Sequence, residues 1–337
     1  MPRLPRMETP TPESQTSRSP AWRVIRVILA IILPTLLLFL VGRSIVRQWH
    51  DVRIDQWQWH AEWLLASLIV GWSDFFLINQ LWRWVLVTIT HQRLGVWRAY
   101  FISAISNLGK YLPGRVWAFV SMFYLLRRDG FNVADAVAST VLHQAFTVVS
   151  GAVFILVVLG PQVFGPMPIV SVALGLGLCV LVLYPPLFTW AINLGLRLMR
   201  RDPIVVHYPP SRGIVLFVMY IVGWIMYGAT TWLMLRGLGL DSGPFWPVVA
   251  AFVAGYLLGF LAIFAPGGLG VREGVLTVLL TPHFGSGLAA TIAVVSRIWM
   301  TLLEVIQLSP LMFVGRRPTG ALPVRGDGSK EDVSRVG

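Results

Sequence analysis

The sequence predicts an all-α polytopic membrane protein with about six full spans and two re-entrant broken-helix hairpins in an inverted repeat. Three observations carry this. Hydrophobic residues make up 56% of the 337 and charged residues only 12%, with a mean hydropathy of +0.70. A soluble domain carries about 25% charged residues. Apolar runs of about 20 residues, the length that crosses a bilayer, recur along the chain without alternation, which excludes a membrane barrel. Two further apolar stretches are each cut in the middle by a Pro-Gly step.

Residues 1–21, "MPRLPRMETPTPESQTSRSPA", are rich in Pro, Ser and Thr and predict a disordered cytoplasmic tail. The run 24–43 lacks a small-residue cleavage site, so it reads as an anchor opening a transmembrane domain over 22–315. "QWQWHAEW", Gln56 to Trp63, is a tryptophan belt at the outer interface, and a second span follows at 62–88. Next, "VWRAYFISAISNLGKYLPGRVWAFVSMFYLLRRDG" is divided by Pro113-Gly114 into halves of about 13 residues, too short to cross at about 1.5 Å per residue. Spans at 133–159, 168–192 and 213–236 come after it. Pro266-Gly267-Gly268 then divides 245–280 in the same manner, before a last span at 288–313 and a second polar, disordered cytoplasmic tail at 316–337. Broken backbone at membrane depth is tolerated only where protein or a wet cavity surrounds it.

The two broken regions match one another. Pro113 and Pro266 stand 153 positions apart (266 − 113). At about that offset "DGFNVADA" matches "HFGSGLAA", and His143 falls near Arg297. Repeat 1 covers about 62–159 and repeat 2 about 213–313, each reading span, hairpin with a Pro-Gly tip, glycine turn, span. With a cytoplasmic N-terminus and hairpins that do not cross, Arg93, Arg98, Arg127, Arg128, Arg197, Arg200, Arg201, Arg212, Arg316 and Arg317 all face the cytoplasm. The opposite loops "GPQVFGPMP" and "TPHFGSG" contain no Lys or Arg, as the positive-inside rule requires. Both termini are then cytoplasmic, the location is the cell membrane, and the two hairpins enter from opposite sides, a transporter architecture. The competing topology lets 246–264 cross fully and flips the last span.

The net charge of +12 falls in short loops beside apolar spans, where it serves orientation and contact with anionic lipid; no nucleic acid is expected. Cys179 is the single cysteine, so no disulfide framework and no cysteine-based metal site are expected. No cofactor, no metal and no catalytic constellation is legible, and the chain is not expected to be an enzyme. "PGGLGVREG" lacks the preceding strand and soluble βαβ unit of a nucleotide loop.

Ionisable residues in apolar surroundings are functional candidates by default. Here they are Asp74, Arg83, Lys110, Arg115, His143, Arg272, Glu273, Arg297 and Glu304. Four buried bases (Lys110, Arg115, Arg272 and Arg297) together cost on the order of 10 kcal/mol unless paired or hydrated. Arg115 and Arg272 each follow a Pro-Gly tip, where a restarting helix offers free N–H groups and its positive end to an anion. The guanidinium adds a fork that grips phosphate in two places. The expected head-group site is therefore Lys110, Pro113, Gly114 and Arg115 with Pro266, Gly267, Gly268, Arg272 and Glu273. Bland roles stand beside this: Arg115 paired structurally, Arg272 and Glu273 as a local ion pair, and Arg297 and Glu304, seven apart, bracing a bundle. His143 fits a packed polar residue better than a proton carrier, and Asp74 fits a proton or cation site as well as a structural one.

"NLGKYLPGRVW" and "PGGLGVREG", each followed by a glycine turn, resemble the integral membrane part of lysylphosphatidylglycerol synthases and the free-standing flippase-like proteins that share it. The similarity covers about 22–315. In the bifunctional synthases this part is associated with moving the aminoacylated lipid between leaflets, ahead of a soluble catalytic domain. About 22 residues follow the last span here, so aminoacylation is not expected. Where many members carry an acidic-Arg pair in the first repeat, this sequence has His143-Gln144. The expected function is translocation of a lipid or lipid-linked precursor, its anionic head group held between the two Pro-Gly tips. The expected partners are anionic membrane lipids. An accessory or scaffold subunit of a lipid or cell-envelope synthase, and a membrane-embedded lipid-phosphate transferase, remain alternatives.

Overall fold

The computed structural model describes residues 57–111, 116–161, 165, 168–198, 203, 208–262, 265, 268, 270–308 and 310. The first anchor at 24–43, both tails, and both Pro-Gly tips (Pro113-Gly114 and Pro266-Gly267) lie outside them. The described residues fold as helices and loops without strands: an all-α polytopic membrane fold. They form α1 (Ala61–Thr90), α2 (Val96–Asn107) with a 3-10 turn at Leu108–Tyr111, and α3 (Val116–Arg128). Then come α4 (Val133–Val158), α5 (Pro168–Leu183), α6 (Pro185–Leu198), α7 (Pro210–Gly237), α8 (Phe245–Leu261) and α9 (Val271–Ile306). By length and composition α1, α4, α7 and α9 can each cross a membrane. Outward positions such as Ile69, Val157, Ile169 and Val278 are apolar and exposed, the surface expected where lipid is the solvent.

The stretch expected as one span at 168–192 is two helices. α5 and α6 meet at an angle of 88°. The cause is local: Pro185 and Pro186 supply no N–H to the helical ladder and crowd the carbonyls one turn back, while Tyr184 ends α5 with its N–H on the Val180 carbonyl at 3.1 Å. A second difference lies in α9, which runs 36 residues through the expected boundary between half-helix and span. Its continuity is broken at Gly285, with φ 73° and ψ 160°, three residues after Pro282. The half-helix and the span are therefore the two limbs of one bent element.

α2 and α3 would reach only about 18 and 20 Å end to end, short of the roughly 30 Å hydrocarbon core. They form an antiparallel pair instead. Gly109 lies so close to α3 that a Cβ there would sit 2.4 Å from the Ala118 nitrogen. At the open end Arg98 donates to both Asp129 oxygens, Nε to Oδ2 at 2.7 Å and Nη2 to Oδ1 at 2.8 Å. α8 and the first limb of α9 pair similarly, across Gly255, Gly259 and Gly268. A Cβ on Gly268 would stand 2.9 Å from the Gly259 Cα.

The two halves meet along α1 and α7, which run antiparallel over their lengths. His60 N–H donates to the Gly237 carbonyl at 2.9 Å and Ser67 Oγ to the Thr230 carbonyl at 2.6 Å. Further along, Ile78 packs over Gly223, and Leu81 and Val85 join Leu216 and Tyr220 in one core cluster. Small residues let the backbones approach, which drives helix association where lipid tails are as apolar as side chains. Trp299 on α9 donates to Ser67 Oγ at 2.8 Å, and Trp224 on α7 donates to Ser150 Oγ on α4 at 3.0 Å. At the belt, Arg236 lies 5.2 Å from the Trp63 ring and 4.2 Å from that of Trp232, a cation–π sandwich suited to an interface.

Candidate functional site

α1, α2, α3, α4, α7, α8 and α9 enclose a cavity of about 300 Å³. Both hairpins contribute: Ser103, Ser106, Asn107, Ala118 and Phe119 from the first, and Gly259, Phe260 and Arg272 from the second. The lining next to each undescribed tip thus faces one shared space. Of the expected site residues, Asp74, His143, Arg272, Arg297 and Glu304 line it, although they are spread over more than two hundred positions of sequence. Lys110 falls in the 3-10 turn leading to the first tip, and its side chain is outside the described residues, as are Pro113, Gly114, Arg115, Pro266 and Gly267.

Arg272 is positioned by two glycines. Its side chain lies across α8 where a Cβ on Gly259 would come 3.3 Å from Arg272 Cβ and one on Gly255 3.5 Å from Arg272 Cγ. Its guanidinium stands 5.9 Å from the centre of the Tyr227 ring. Nε and Nη2 are buried and have no hydrogen-bond partner among the described residues. Asp74 Oδ1, Trp82 Nε1, Ser106 Oγ and the Tyr227 hydroxyl are likewise buried without one, and all these residues line the cavity. Leaving a buried polar group unmet costs about 1–3 kcal/mol, so such atoms gathered in one space make the cavity the candidate place for a polar ligand.

Glu273 behaves differently from its neighbour. Its Oε2 accepts the Gly270 N–H at 2.8 Å and its Oε1 accepts Arg297 Nη1 at 2.6 Å. It therefore does not pair with Arg272, and the ion pair it does make joins the two limbs of α9 across the Gly285 break. The carboxylate also sits at the N-terminus of α9, where it meets part of the positive helix end that a ligand would otherwise use. Arg297 is drawn to Glu273 from the next limb, so its partner is not simply Glu304 seven positions on. His143 Nδ1 is hydrogen bonded to the Tyr220 hydroxyl, whose ring stacks on Phe146. Arg83 donates from Nε to the Leu94 carbonyl, and no ion pair joins it to Asp74 among the described residues.

Sequence reasoning missed Tyr220, Trp224 and Tyr227, which line the cavity from one stripe of α7. Their spacing was visible, but an aromatic stripe in an apolar helix looks the same whether it faces core, lipid or ligand. Ser103 and Ser106, three apart on α2, were equally legible and equally silent. Among the described residues no group of three or more His, Cys, Asp or Glu is placed to hold a metal ion.

Residues 24–306 match the family described as the lysylphosphatidylglycerol synthase transmembrane region. The chain belongs to that family, and is an integral, multi-pass membrane protein of a lipid-handling group. No curated protein matches it.

Proposed function

We propose that this protein moves an anionic lipid, or a lipid-linked precursor, between leaflets. The head group is held in the central cavity and its tails remain in the bilayer. The observation that carries this is Arg272: a guanidinium with two buried, unpartnered nitrogens facing a cavity walled by tyrosine and tryptophan. A phosphate is the planar-fork partner that such a group takes inside a membrane. Tyr227, with an unpartnered hydroxyl, and Ser106 supply further polar contacts.

Alternating access needs two units that rock about a fixed site. The antiparallel packing of α1 on α7, the opening helices of the two repeats, supports a two-fold relation in the membrane plane. Both hairpins also border the cavity, which supports tips that converge there. Arg115 is the expected counterpart of Arg272 from the other side. The arginine distribution favours cytoplasmic termini in the cell membrane.

The test is leaflet exchange of fluorescent phosphatidylglycerol in proteoliposomes, comparing wild type with Arg272→Ala. Exchange should fall about tenfold or more in the variant, the loss expected when a charged hydrogen-bonding group worth about 1.5–3 kcal/mol is removed. Equal exchange by the two proteins, above that of empty liposomes, would remove Arg272 from the mechanism. Turnover of a lipid phosphate in detergent, with no second leaflet to reach, would favour a transferase instead.

A further inference from the structure

We infer that Asp74 is a coupling-cation site: a head group is loaded at Arg272 together with one monovalent cation held by Asp74. This rests on the function proposed above. Asp74 is 7% exposed, its Oδ1 has no hydrogen-bond partner among the described residues, and it lines the cavity from the middle of α1. On α7, Gly223 lies next to that oxygen: a Cβ there would be in ordinary contact with it at 3.5 Å.

The charges of the cavity set the requirement. Tyr220 and Tyr227 face it from α7, His143 from α4, Tyr256 from α8, and Arg272, Arg297 and Glu304 from α9. The described lining of α2 and α3 carries no ionisable side chain. Arg297 is neutralised by Glu273 and His143 is held by Tyr220. No ion pair reaches either Asp74 or Arg272 among the described residues. Glu304 makes a contact of its own, and Asp74 is left with no partner at Oδ1 among the described residues. A phosphate on Arg272 brings further negative charge into the same space, and an ionised, buried Asp74 is then costly in apolar surroundings. One cation at Oδ1 offsets that charge, and coupling ions in broken-helix transporters sit between the repeats. A proton and Na⁺ are the two sources of that charge. A single carboxylate suits a proton, because hard cations collect several oxygens.

The test is calorimetric binding of dihexanoylphosphatidylglycerol to the full-length protein in detergent, with pH and Na⁺ varied separately. The phosphodiester does not titrate near neutral pH, so any dependence belongs to the protein. Wild-type affinity should rise about tenfold for each unit fall in pH, or for each decade of Na⁺ if sodium is the cation. The slope should vanish in Asp74→Asn and persist in His143→Gln and Glu304→Gln. Heats measured in two buffers of different ionisation enthalpy count the proton taken up by wild type, so the result does not depend on any variant folding. Wild-type binding that ignores both cations, or a slope that survives in Asp74→Asn, would overturn the coupling and leave the head-group site standing. Absence of Arg272-dependent binding to folded wild type would instead overturn the head-group site, and the coupling with it.

Discussion

The two hairpins share a plan and differ in where they keep their charge. Each pairs short antiparallel limbs across a glycine contact, Gly109 on Ala118 in the first and Gly259 on Gly268 in the second. Each leaves its second limb through a glycine with positive φ, Gly130 at 86° and Gly285 at 73°. In the first hairpin the ion pair, Arg98 with Asp129, sits at the open end, with side chains 26% and 15% exposed. In the second, Glu273 with Arg297 sits beside the central cavity, 16% and 12% exposed. At the position near Arg297, the first repeat has His143, held by a neutral phenol. The two hairpins thus share a form, and among the described residues the ion pair beside the cavity belongs to the second. The first half supplies Asp74 and neutral polar lining.

The strongest way to break this comparison is to break each ion pair. Arg297→Ala leaves the Glu273 carboxylate beside the cavity with the Gly270 N–H in place of its cation, and should destabilise the protein by about 3 kcal/mol. Arg297→Gln combined with Glu273→Gln should recover much of that loss. Asp129→Asn, at the partly exposed pair, should cost about 1 kcal/mol or less and lose its effect in high salt. Thermal unfolding in detergent at two salt concentrations reads all three. Similar shifts for the two pairs would show that the second is not electrostatically special.

Glycine substitutions sharpen the comparison next. Gly268→Ala puts a Cβ 2.9 Å from the Gly259 Cα at a positive φ, and should cost about 3 kcal/mol from overpacking and strain together. Gly130→Ala and Gly285→Ala meet nothing within 4 Å, so each should cost only the roughly 1–2 kcal/mol of a left-handed residue. If Gly285 also serves as a hinge, its variant should slow lipid exchange while Gly130→Ala does not. A small effect is expected of Ser67→Ala. It removes the bond to the Thr230 carbonyl and the one accepted from Trp299, each worth about 0.6 kcal/mol in a membrane helix bundle, and a shift of only a few degrees in the unfolding midpoint is expected.

Composition and run length were enough to predict the helical membrane class, because bilayer thickness dictates the length of every crossing element. The broken helices were legible too, since Pro and Gly act through local backbone chemistry. Even the Gly285 break in α9 was visible as "HFGSGLAA". The bend at Tyr184 was less so: Pro185 and Pro186 stood inside a run whose hydropathy never fell, and hydropathy averages over the residues that set direction. Asp74, His143, Arg272, Arg297 and Glu304 could be named as candidates, because ionisable groups stand out against an apolar background.

What sequence could not decide was pairing. Glu273 lies next to Arg272 and 24 positions from Arg297, yet the bend at Gly285 brings the distant arginine to its carboxylate and turns the near one away. Adjacent residues on a helix point about 100° apart, so neighbours in sequence are poor partners in space. The sequence by itself therefore determined the class, the breaks and the stock of buried charge. Only the tertiary structure decided which charges cancel and which remain to meet a ligand, because an ion pair needs two side chains within about 4 Å and that distance is set by helices packing.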